Sequence, residues 1–220
     1  MSPTRLRFLA CLLAIPLAVP SPSAAFDTPL SDTAVREAYF LGQRHDETVA
    51  RFFDKYTKRL PPPSAGPYIS SITFLTPFAL LVEYFSRQSN YSAQQAQIDH
   101  RADEEMVSIR VEIQLTRSYG AFLTKPTGTR SDSPIGIQLR PSSFWRQVKF
   151  RFFDGKEEIT TDNLAGQPHF LCSENGCILT GATVRIEFPS SAFTSESARI
   201  EICPPEGDQV FVDFDLSSMR

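Results

Sequence analysis

Asp213 and Asp215 stand two residues apart in the run Val210-Phe211-Val212-Asp213-Phe214-Asp215-Leu216. Side chains alternate along a strand, so both carboxylates leave one face and Val212 and Phe214 leave the other. Two carboxylates roughly 5–9 Å apart are what glycosidases use, one as acid and one as base or nucleophile. The plainer use of aspartate on an outward strand face is solubility and the blunting of an edge. A second polar knot is Arg44-His45-Asp46-Glu47. An imidazole beside a carboxylate offers a base and its orienting partner; the same composition suits a solvated junction between helices. The run from Asp99 to Glu105 is rich in oxygen ligands but lacks the spaced carboxylates and glycine of a calcium loop.

The only tryptophan, Trp145, sits in Phe144-Trp145-Arg146. Its ring suits stacking on a sugar or ligand, or anchoring a core. No Gly-x-Ser-x-Gly turn accompanies the three histidines, His45, His100 and His169, so no serine-hydrolase triad is indicated. Cys203 has no base nominated beside it. Cys172, Cys177 and Cys203, with His169 the one nearby histidine, fall short of a zinc set. The chain is therefore expected to be non-catalytic and to need no metal or cofactor. Its low-specificity binding or acidic candidates are His45, Asp46, Trp145, Asp213 and Asp215.

Residues 1–25 have the layout of a cleaved export signal. Arg5 and Arg7 precede the mostly apolar run 6–19, and small residues lead to Ala25. The run is too short, and too interrupted by Pro16, for a membrane-spanning helix, which needs roughly 20 apolar residues. A secreted or periplasmic location follows as an expectation, with no transmembrane anchor after processing. The formal charge of −3 argues against a nucleic-acid partner. An oxidising compartment favours pairing of cysteines. Cys172-Ser-Glu-Asn-Gly-Cys177 reads as a hairpin tip whose cysteines face each other, predicting a Cys172–Cys177 disulfide with Cys203 unpaired and buried.

Elements that position these residues change character along the chain. Ser31 caps a helical period over 31–42, and a second helix is expected over 46–59, stopped by Pro61-Pro62-Pro63. The segment 68–75 predicts a short strand. Thr76-Pro77 opens a helix, and Ser92 with Gln95 caps another reaching about residue 100. From Met106 the period becomes two, with Val107, Ile109, Val111 and Ile113 against Ser108, Arg110 and Glu112. Further strands are expected at 135–139, 145–153, 157–161, 169–172, 177–188, 199–203 and 210–216, with a long loop at 118–133.

Helices first and strands after argue for an α+β fold, with an N-terminal helical region packed on or beside an antiparallel β-sandwich of about eight strands, immunoglobulin-like or jelly-roll-like. The expected division is a signal at 1–25, a helical region with one short strand at 26–105, and a sandwich domain at 106–220 that depends on the helices for cover. The 18 phenylalanines are expected mainly in that core. The functional expectation is an exported binding or structural protein, an interaction module for an unknown protein or envelope component. The alternatives are a hydrolase of an extracellular polymer or a carbohydrate-binding module presenting Tyr68, Tyr119 or Trp145.

Overall fold

The computed structural model describes residues 25–62, 67–116, 121–124, 136–139, 141–174 and 176–220. Apart from Ala25, the expected export signal lies outside them, as does Tyr119. Among the described residues four helices are present: α1 Asp32–Gly42, α2 Glu47–Asp54, α3 Pro77–Ser86 and α4 Ala93–His100. Each starts where a side chain accepts from the first turn. Ser31, Asp46, Thr76 and Ser92 bond the amides of Ala34, Thr48, Ala79 and Gln95 respectively.

The described strands form two larger antiparallel sheets and a small one. The five-stranded sheet runs β1 (Thr57–Arg59), β2 (Pro67–Leu75), β3 (Met106–Leu115), β9 (Gly176–Pro189), β8 (Leu164–Ser173). The four-stranded sheet runs β11 (Val210–Asp215), β10 (Ser197–Cys203), β6 (Lys149–Asp154), β7 (Glu157–Ile159). A separate hairpin pairs β4 (Ala121–Thr124) with β5 (Gly136–Leu139). This is an α+β architecture with a sandwich-like arrangement of two sheets.

The alternation in β3 explains the layering. Val107, Ile109, Val111 and Ile113 are buried in one cluster with Phe152 of β6, Ile200 and Ile202 of β10, and Val212 and Phe214 of β11. Rings bridge the layers: Phe74 of β2 meets Phe214, and Phe152 meets Phe188 of β9. The opposite face of β3 turns Arg110 toward Glu83 of α3, so that helix stands over the outer face of the five-stranded sheet. A second cluster, with Val35, Ala38, Phe78, Val82 and Phe85, holds α1 to α3.

Several boundaries differ from expectation. The second helix ends at Asp54, not residue 59, because Thr57, Lys58 and Arg59 pair with Thr73, Ile72 and Ser71. Lys58 and Arg59 are thus strand residues rather than a cationic helix end. The segment 26–105 supplies two strands rather than one, and β2 pairs with β3 along nearly its whole length. Residues 144–147 form a 3-10 turn, so β6 starts at Lys149. Among the described residues Cys203 has no disulfide partner, as expected, but it is half-buried, since its parity opposes that of Ile200 and Ile202.

Candidate functional site

The residues nominated for chemistry do not converge. Asp213 and Asp215 leave the outer face of the four-stranded sheet. Arg199 donates to Asp213 at 2.7 Å, and Ser217 donates to Asp215 at 2.6 Å. The Ser217 hydrogen bond holds the Asp215 carboxyl below its ordinary value. Arg151 bridges Glu158 and Glu201 on the same face, which is therefore a lattice of compensated surface charges. His45 and Asp46 lie between α1 and α2. Asp46 accepts from the Thr48 amide at 2.8 Å as the cap of α2, and Arg44 pairs with it at 3.1 Å. The Thr48 hydrogen bonds chiefly lower its pKa.

Trp145 is 7% exposed and belongs to the inter-sheet core. Its indole lies against Gly166 of β8, where a Cβ would overlap the ring. In the run 99–105, Asp99 accepts from Tyr91 and Gln95, and Glu105 accepts from the Thr28 hydroxyl and Leu30 amide, each at 2.6 Å. His100 Nε2 lies 3.0 Å from the same Glu105 carboxylate. Among the described residues no cluster of three His, Cys, Asp or Glu side chains is arranged to hold a metal.

Two other features stand out. The first is the far end of the β8–β9 hairpin. Pairing of β9 with β3 stops at Gly181, opposite Gln114, but β8 and β9 continue together to Ser173 and Gly176. A register shift between His169 and Phe170 marks the start of this extension. Such bulges bend a strand pair and re-aim its side chains. A Cys172–Cys177 disulfide joins the strands near the tip. Phe170, Leu171 and Ile178 are 52%, 67% and 56% exposed there. Single exposed apolar residues are ordinary, but Leu171 and Ile178 stand opposite each other in the register and form an apolar pair on one face, while Phe170, opposite Leu179, is exposed on the other. The strand pattern predicted the hairpin and its disulfide, but alternation carries no signal of whether another layer covers it.

The second feature is a groove between α3, α4 and the outer face of β3, β8 and β9. Glu83 of α3 accepts two hydrogen bonds from Arg110, at 3.0 and 2.8 Å, and one from Arg87 at 2.7 Å. Burial raises the Glu83 carboxyl, but the Arg110 hydrogen bonds and the charges of Arg110, Arg87 and Arg185 outweigh it and hold the group below its ordinary value. Beside it, Thr183 Oγ1 lies 2.8 and 3.0 Å from the Glu112 carboxylate oxygens and 2.7 Å from His169 Nε2. A threonine has one proton to give. With Glu112 ionised, Thr183 donates to it and His169 donates to Thr183. That polarity is opposite to a nucleophile's, whose hydroxyl must donate to the imidazole. The constellation links Glu112 of β3, Thr183 of β9 and His169 of β8 on the outer surface of the sheet.

No protein-family model matches this chain, and the search of curated proteins found no match.

Proposed function

We propose that this chain is an exported, non-catalytic binding protein that uses its β8–β9 hairpin end to engage a partner protein of the envelope or extracellular space. The two sheets serve as an immunoglobulin-like or jelly-roll-like frame, and the helices brace one of them. The observation that carries the reading is the solvent-facing Leu171–Ile178 pair, with Phe170 exposed on the other face, on a hairpin pinned by Cys172–Cys177. A cross-link that limits the hairpin's freedom before binding reduces the ordering cost at association. Among the described residues β8 is also the last strand of its sheet, an edge position that suits strand addition by a partner. Binding is better supported than hydrolysis because Asp213 and Asp215 are each engaged by a neighbouring side chain.

The test is capture from an envelope extract of the native host, using the protein and its Leu171→Asp/Ile178→Asp variant. The proposal expects one protein species to be retained saturably by the wild type and lost with the variant. Prior protease digestion of the extract should abolish retention. Equal retention by the variant, or retention that survives digestion, would overturn it.

A further inference from the structure

The groove over the five-stranded sheet is independent of the hairpin end, and its lining has two chemistries. One chamber, of about 450 Å³, is walled by Leu80, Leu81, Tyr84, Phe85 and Tyr91, with Asp99, His100 and Asp103 at its polar margin. The adjoining chamber, of about 520 Å³, is lined by Arg87, Arg110, Glu112, Gln167, Thr183 and Arg185. Arg87 and Arg185 border both chambers, so they mark the junction between an aromatic end and a basic end. Volumes of this size are usual for small-ligand sites.

The cations at the junction are not equally committed. Arg110 and Arg87 both bond Glu83. Glu112 is bonded by Thr183, and Asp99 by Tyr91 and Gln95. Among the described residues, Arg185 has one ion pair, with Glu187 at 3.6 Å, whose carboxylate also accepts from Asn163 at 2.8 Å, and its charge reaches Glu83 without a hydrogen bond. A guanidinium has five N–H donors in a planar fork matched to carboxylate and phosphate oxygens. Among the described residues, Arg185 makes no side-chain hydrogen bond, and it stands where the apolar wall of Tyr84 and Phe85 begins.

We infer that this groove binds an anionic amphiphile. Its single phosphate or carboxylate head is held by Arg185 with Arg87, and its alkyl or aromatic body lies against Tyr84, Phe85 and Tyr91. The head is recognised by charge-assisted hydrogen bonds and the body by burial of apolar area.

Isothermal titration of the protein with decyl phosphate, inorganic phosphate and decyl maltoside tests this, each amphiphile being kept below micelle formation. Saturable binding of decyl phosphate is expected, with inorganic phosphate and decyl maltoside each at least tenfold weaker, a factor of about one charge-assisted hydrogen bond. Arg185→Gln should weaken decyl phosphate by about tenfold and leave decyl maltoside unchanged. Tyr84→Ser should weaken both amphiphiles. Leu171→Asp/Ile178→Asp should change none of them, which separates this site from the hairpin. The inference is overturned if decyl phosphate does not saturate, if inorganic phosphate or decyl maltoside binds as tightly, or if Arg185→Gln binds decyl phosphate like the wild type.

Discussion

Replacing Glu83 by glutamine isolates the electrostatic clasp that ties α3 to the sheet. The side chain keeps its length and one carbonyl oxygen but loses its charge. Glu83 and Arg110 are 18% and 22% exposed, so the pair is neither free in water nor fully enclosed. Breaking a fully buried pair from one side costs about 3–5 kcal/mol, whereas exposed pairs are worth about 0–1 kcal/mol. The geometry between these limits, with two hydrogen bonds from Arg110, predicts a loss of about 2 kcal/mol. Urea unfolding at neutral pH measures it, and Arg110→Met completes a double-mutant cycle. The two substitutions should be less than additive, because each removes the same interaction. The pH dependence has a definite sign. The folded carboxyl sits below its ordinary 4.5, so its contribution is complete above that value and is lost as pH falls through the lower folded value. The stability gap between wild type and Glu83→Gln should therefore be constant near neutrality and close in acid. A loss below about 0.5 kcal/mol, strict additivity, or a gap that persists into acid would refute the reasoning.

Serine at both Cys172 and Cys177 should lower stability by about 2 kcal/mol, because only a short loop is closed, and calorimetry would show it. Gly166→Ala should cost at least about 2 kcal/mol, since a Cβ overlaps the Trp145 ring; a red shift of tryptophan emission in the folded protein would accompany the loss. Glu105→Ala removes the acceptor for Thr28 and Leu30, so amide exchange should rise at residues 27–31 and stay unchanged in β10 and β11.

The sandwich-like core was legible because Val107, Ile109, Val111 and Ile113 keep strict alternation, and Val212 and Phe214 repeat it at the other layer. Thr76 and Ser92 announced helix starts through local chemistry, which needs no tertiary information. β1 was hidden, because Thr57, Lys58 and Arg59 have no apolar rhythm and become a strand only when β2 offers its edge. Trp145 lay in a segment of strand-like composition that instead makes a 3-10 turn, bringing the indole onto Gly166. The groove was not legible at all. Tyr84 and Arg87 belong to α3 and its C-cap, but Arg185 comes from β9, and the two meet only through the packing of α3 on the sheet. Phe170, Leu171 and Ile178 read as ordinary apolar strand residues, and alternation does not tell which face a second layer covers beyond the end of β3.

The role assigned to the hairpin end is tested most directly by a photo-crosslinking residue placed at Leu171 and, separately, at Asp213 on the outer face of the other sheet. Both positions are exposed, so insertion perturbs little. Illumination in the native envelope should yield a discrete protein adduct from position 171 and none from position 213. An adduct from position 213 with none from position 171 would contradict the account.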